Sequence, residues 1–259
     1  MRHTPGDHAH RGHLTTGTGK GKDAWLAATW PFVRDQLPPS PATVIEVGCG
    51  PLGGHVPSLL RTGYHAIGVD PEAPEAPEPS EAHRTPSPYR RIAFEDYRPA
   101  APVDAIVASV SMHHVHDPGA ALDHVADVLV PGGTLVVIEW ISEDLDEPTV
   151  RWCQRHRPRG PEDPDNRDDP GSWLAGMLAD WTGSGLPWRD YFRARLEEHG
   201  MHPAAAIRRE LEARFATVHL STGPYYFSDL LDADEHTEQA AIDSGQINPG
   251  CLRYVGRKE

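Results

Sequence analysis

Lysine is nearly missing from this chain: three of its 24 basic residues are Lys, against 38 Asp and Glu, for a formal net charge of −14. A surface so short of cations has little with which to neutralise phosphates, which argues against a nucleic-acid groove. Cysteine is scarce too. Cys49, Cys153 and Cys251 are odd in number and widely spaced, with no C-x-x-C. That excludes a disulfide scaffold and a thiolate zinc site, and it fits a reducing cytosol. No apolar run reaches the ~18 residues of a membrane span, and the polar start, with His3, His8, His10 and His13, lacks the apolar stretch of a secretory signal. A cytoplasmic protein without a membrane partner is expected.

What is present is a core. The chain has 259 residues, 38% of them hydrophobic, with seven Trp. That length suits a single α/β domain carrying an insertion. Residues 1–22 read as a flexible arm, followed by a helix capped by Asp23 and kinked or split at Pro31. Apolar runs at 44–47, 65–69, 90–94, 103–108 and 133–141 look like buried parallel strands. Between the last two lies a helix over 118–129, with Ala121, Leu122, Val125, Val128 and Leu129 at helical spacing, ended by Pro131-Gly132-Gly133. Helices near 188–199, 203–214 and 234–244 and strands at 215–222 and 251–256 complete the pattern. Two stretches break it. Residues 71–88 hold six prolines and four glutamates, so they form an extended loop. Residues 143–190 read as a lid or substrate insertion above the carboxyl edge of the sheet.

The chemistry starts at residues 44–54, Val-Ile-Glu-Val-Gly-Cys-Gly-Pro-Leu-Gly-Gly. A β-branched run ends in a glycine-rich turn, the arrangement by which α/β proteins bring backbone against a nucleotide-like ligand. Gly48, Gly50 and Gly53 satisfy G-x-G-x-x-G, and Asp70 closes the next apolar run about 20 residues on. Taken alone, this indicates NAD. Glu46, two residues before the first glycine, points elsewhere, because a carboxylate there can face a cation such as the methionyl amino group of S-adenosylmethionine.

Further segments in order strengthen that reading: Val69-Asp70, Phe94-Glu95-Asp96, the run Val103–Ser109 followed by Met112-His113-His114-Val115, and Leu129-Val130-Pro131-Gly132-Gly133. Together with the glycine turn, residues 44–140 resemble a class I S-adenosylmethionine-dependent methyltransferase. The resemblance implies a doubly wound, Rossmann-like, seven-stranded α/β sheet, mostly parallel with an antiparallel last strand and helices on both faces. It also implies roles. Glu46 would hold the methionyl amino group. Gly48 and Gly50 would let backbone approach, with Cys49 the small residue between them. Asp70, followed by Pro71, would accept both ribose hydroxyls. Glu95 or Asp96 would face the adenine amino group, and Ser109 and Val110 would pass under the sulfonium. Two departures stand out: the proline-rich loop replaces the helix that follows the second strand, and Pro51-Leu52 sits inside the glycine turn.

His113, His114 and His116 offer a metal cluster, a base or a brace for the loop. Adjacent histidines point apart and no nearby carboxylate completes a facial set, so no metal is expected. Ubiquinone-type O-methyltransferases carry a carboxylate where His113 stands here. His113 or His114 as a base, with Glu139 at the end of the fifth strand as the alternative, would suit a hydroxyl or ammonium nucleophile. Trp140, Trp173, Trp181 and Trp188 fit core packing or an aromatic wall for a cation.

The reading is methyl transfer to a small-molecule acceptor through an O-, N- or C-nucleophile. DNA amino-methyltransferases carry Asn/Asp-Pro-Pro-aromatic where this chain has Ser109-Val110-Ser111-Met112. The alternatives are a cofactor-binding protein with cyclase-like or regulatory activity and an NAD-dependent oxidoreductase. NAD binding without S-adenosylmethionine binding would favour the latter. The oligomeric state is not written in the sequence.

Overall fold

A computed structural model describes residues 20–75, 86–160 and 172–259. Outside the described residues lie the early histidines, Glu78 and Glu81 of the proline-rich loop, and most of the charged stretch after Arg157. Seven strands form one sheet: β1 (Thr43–Val47), β2 (His65–Val69), β3 (Tyr89–Arg90), β4 (Val103–Ser109), β5 (Leu129–Trp140), β6 (Ala216–Gly223) and β7 (Cys251–Arg257). Their order is β3-β2-β1-β4-β5-β7-β6, parallel except for β7, which runs antiparallel to both neighbours. The expected doubly wound sheet is therefore observed, with the reversal of strand order at β1/β4, where such sheets bind ligands.

Alternation within the central strands explains the two helical layers. Val44, Ala105, Val107, Val136 and Ile138 face one layer, while Ile45, Ile106, Ala108, Leu135 and Val137 face the other. Strands apolar on both sides need cover on both sides. The first layer contains α1 (Lys20–Gln36), α2 (Val56–Arg61), α4 (Glu147–Arg155), α5 (Trp173–Ser184), α6 (Trp188–His199) and α8 (Glu235–Asp243). The second contains α3 (Pro118–Val128) and α7 (Ala204–Glu212). Asp117, Asp146, Ser172 and Asp234 cap the starts of α3, α4, α5 and α8 by accepting from backbone N–H groups. No described helix is long and apolar enough to cross a membrane.

Three boundaries differ from the sequence pattern. Helix α1 begins at Lys20, inside the expected arm, and continues unbroken through Pro31. Pro31 lies on the exposed side, where water can satisfy the carbonyl that its missing N–H leaves free. The expected strand at 90–94 is reduced to Tyr89 and Arg90, after which Phe94–Asp96 turn as a short 3-10 helix that buries Phe94. Pro131-Gly132-Gly133 do not end α3. The helix stops at Val128 and β5 takes in all three residues, with Gly132 left-handed at φ 74°.

A candidate cofactor cleft at the carboxyl edge

Val47 ends β1, and Gly48 turns the chain with φ +77°. A Cβ there would stand 2.2 Å from Ser111 Cβ, so the loop after β4 is pressed against this backbone. Ser111 Oγ donates to Val47 O at 3.0 Å and Gly48 N donates to Val69 O at 2.9 Å, fixing three strand ends together. Glu46 lies behind the wall of the cleft, 1% exposed. Its two oxygens accept from His55 N and Val56 N at 2.9 Å each, so the carboxylate anchors the start of α2 and the glycine loop. Burial pushes its carboxyl up to about 7, against the pull of those N–H groups and of Lys22. Gly54 has no room for a side chain because a Cβ would meet Glu46 Oε1 at 2.3 Å.

In front of that loop opens a cleft of about 290 Å³, at the small end of ligand pockets. Of the residues expected around a cofactor, Gly48, Cys49, Gly50, Asp70, Pro71, Glu95, Ser109 and Val110 all stand on its wall. Asp70 ties β2 to the glycine loop: Oδ2 accepts from Gly50 N at 3.0 Å and Oδ1 from Glu72 N at 2.6 Å. Glu95 is half-buried on the wall, whereas Asp96, next in the same short turn, is exposed and off it. Ser109 Oγ is buried without a hydrogen-bond partner among the described residues. Val110 holds φ +52°, a conformation that a β-branched residue adopts only under constraint. Strain and an unpaired hydroxyl together make this strand end a candidate site.

The three catalytic candidates separate. His114 is exposed and lines the cleft. His113 is 1% exposed, and its Nδ1 lies 2.5 Å from Oε1 of Glu139, itself fully buried. Glu139 also accepts from Met112 N at 2.9 Å, His113 N at 3.3 Å and Trp140 N at 2.7 Å. Glu139 and His113 therefore form a strut beneath the loop rather than part of the wall, and His113 Nε2 is left buried without a partner among the described residues. Trp140, Trp181 and Trp188 are core residues; Trp140 stacks on Tyr225 at 6.0 Å and packs on Trp173 at 4.9 Å. Among the described residues, no group of three His, Cys, Asp or Glu is placed to hold a metal.

Lys22 was missed by sequence reasoning, which left it in the arm. Carried on the first turn of α1, it is the one Lys or Arg among the described residues of the cleft wall. Burial lowers its pKa, opposed by Glu46, Cys49, Asp70 and Asp229. The only signal available was its rarity: a lysine in a chain with three, just before an amphipathic helix.

The donor set fits S-adenosylmethionine. Acceptors at Asp70 and Glu95 match ribose hydroxyls and an adenine amino group, and the Lys22 ammonium matches a carboxylate. Comparisons with known proteins agree. A family model described as a methyltransferase domain matches residues 19–219. A ubiquinone biosynthesis O-methyltransferase of Xylella fastidiosa is 38% identical over 113 residues, covering 41% of this chain and 45% of that protein. The chain thus spans about half the length of the curated relatives it matches. Among solved structures, a Listeria monocytogenes protein assigned as an S-adenosylmethionine-dependent methyltransferase has a TM-score of 0.52 at 17% identity, covering 92% of this chain and 99% of its own. An S-adenosylmethionine-dependent methyltransferase of Mesorhizobium loti has a TM-score of 0.50 at 18% identity, covering 89% and 98%. The strand order, the cleft and the family match together show that this chain belongs to the methyltransferase-domain family of class I S-adenosylmethionine-dependent enzymes.

Proposed function

We propose that the protein transfers a methyl group from S-adenosylmethionine to a nucleophilic atom of a small-molecule acceptor that arrives beside His114. The observation that carries the reading is one wall holding Asp70, Glu95 and Lys22 around the left-handed turn at Gly48 and Gly50. The cofactor, when bound, supplies a methyl group on a positively charged sulfur that leaves without further activation. Asp70 would accept from the ribose, Glu95 from the adenine amino group, and Lys22 would face the methionyl carboxylate. Ser109 and Val110 would form the floor near the sulfur. His114, exposed at the cleft, would take a proton from a hydroxyl or ammonium acceptor, as a neutral imidazole near pH 7 can. The remainder of the work is alignment.

The Xylella relative is named for O-methylation, which supports a hydroxyl acceptor. A net charge of −14 supports acceptors that are not polyanionic and argues against nucleic acid. Three buried free thiols suit the cytoplasm.

Calorimetric titration with S-adenosylhomocysteine tests the cofactor half. Wild type should bind, and Asp70→Asn should weaken binding by roughly 1.5–3 kcal/mol, the range for charge-assisted hydrogen bonds. Unchanged affinity would remove Asp70 from the ribose site. For the acceptor half, His114→Ala should lower turnover about 10²-fold or more while leaving cofactor affinity near wild type. His113→Ala should instead lower the melting temperature. A flat rate for His114→Ala across hydroxyl and amine panels would take the base away from this residue.

A further inference from the structure

We infer that Glu238, on α8 and off the cleft wall, is a positioning residue for cofactor binding that holds the turn on which Lys22 and the first half of α1 are seated. This inference rests on the cofactor reading above and concerns a residue with no part in it so far. Glu238 is fully buried, and its carboxylate accepts from three successive backbone N–H groups. Oε1 takes Tyr225 N at 2.7 Å and Tyr226 N at 3.1 Å; Oε2 takes Phe227 N at 2.6 Å. Burial pushes this carboxyl up to about 7, and the three N–H groups pull it back. A buried carboxyl whose two oxygens are both taken up by one turn ties that turn to α8, because any shift of the turn leaves buried polar groups unpaired.

The other side of the same turn carries α1. A Cβ at Gly21 would stand 2.7 Å from Ser228 O, so helix backbone rests on turn backbone with nothing between them. Trp25, one helical turn on, packs its ring edge-on against Tyr225 at 5.1 Å and beside Phe227 at 6.1 Å. Lys22 lies between these two supports and lines the cleft. Asp229, which ends the turn and is 2% exposed, is one of the acidic groups that oppose the lowering of the Lys22 pKa by burial, after Glu46, Cys49 and Asp70. Its Oδ2 also accepts from Trp173 Nε1 at 3.1 Å. The position of Lys22, the one Lys or Arg among the described residues of the cleft wall, thus follows from a chain of contacts that runs from Glu238 through residues 225–228 to Gly21 and Trp25, which flank it on α1. None of these contacts passes through the glycine loop, so the proposed grip on the amino-acid end of the cofactor has a support in addition to that loop.

The test is a cycle of S-adenosylhomocysteine dissociation constants for wild type, Glu238→Gln, Lys22→Met and the double variant, each checked for folding by thermal melting. Glu238→Gln places an amide donor against backbone donors. It should weaken binding about fivefold, the size of a coupling carried through packed neighbours. Lys22→Met should weaken it about tenfold or more. The double variant should be no weaker than Lys22→Met alone, because Glu238 acts through Lys22. A residue that only stabilises the fold would lower the melting temperature and leave the two effects independent. Additive effects, or a Glu238→Gln affinity within about twofold of wild type, overturn the inference. Should Glu238→Gln fail to fold, Gly21→Ala makes the same displacement from the helix side. It is expected to show the same loss and the same dependence on Lys22, and wild-type affinity for it overturns the inference equally. Wild type that ignores S-adenosylhomocysteine would instead sink the cofactor reading, and this one with it.

Discussion

Gly48→Ala is expected to weaken S-adenosylhomocysteine binding by at least about a hundredfold, roughly 2.7 kcal/mol, in a chain that still folds. Two causes add. The residue sits at φ +77°, where an L side chain costs about 1–2 kcal/mol. The new methyl would also stand 2.2 Å from Ser111 Cβ and 2.8 Å from Ser111 Oγ. Neither neighbour is a loose chain end: Ser111 is pinned by its bond to Val47 O, and Gly48 by its bond to Val69 O. The clash must therefore be relieved by moving the glycine turn and the loop after β4 apart, which opens the cleft between them. Gly50→Ala is the matched control. Its φ of +63° carries a similar backbone cost, but nothing among the described residues stands within 4 Å of the added carbon. The fold should lose no more than about 1–2 kcal/mol, and any larger fall in ligand affinity would come from crowding in the cleft itself. Equal affinity for wild type and Gly48→Ala would show that the turn is not the contact surface.

Glu139→Ala should be strongly destabilising, at about 3–5 kcal/mol, the range for removing one partner of a buried pair. The carboxylate is fully buried and serves Met112 N, His113 N, Trp140 N and His113 Nδ1. Alanine would leave all four without an acceptor, each out of reach of water. Urea denaturation reads the loss. The same experiment decides between two roles. A strut lost from beneath the loop should lower stability and turnover together, and Glu139→Gln should recover part of both. A catalytic base would give a Glu139→Gln protein of nearly native stability with turnover abolished. That outcome would bring Glu139 back as the base and require the loop to open.

What was legible in advance was whatever depends on local pattern. Strands with apolar residues on both faces had to be covered twice, so Val44–Val47 and Val103–Ala108, apolar but for Glu46 and Asp104, announced a doubly wound sheet. Glycines before Asp70 announced a close backbone approach. The unreadable parts all depended on where a side chain finishes after packing. Glu46 carries the right charge for a cationic ligand, but nothing in sequence shows its oxygens committed to His55 and Val56, nine and ten residues on. Glu95 and Asp96 are chemically equivalent neighbours, and only the direction of a three-residue turn separates them. His113 and His114 differ in the same way: one pairs with Glu139, 26 residues away, and the other faces the cleft. Lys22 was hidden because helix α1 starts earlier than its capping pattern suggests and folds across the carboxyl edge.

The ring cluster around Tyr225 has a practical consequence. Trp25, Trp140 and Trp173, from α1, β5 and α5, stand 5.1, 6.0 and 6.3 Å from it. Three of the seven indoles, which give most of a protein's ultraviolet emission, therefore report on one spot where three separate elements converge. The molecule carries its own optical gauge there, and a spectrometer can follow that junction without any attached dye.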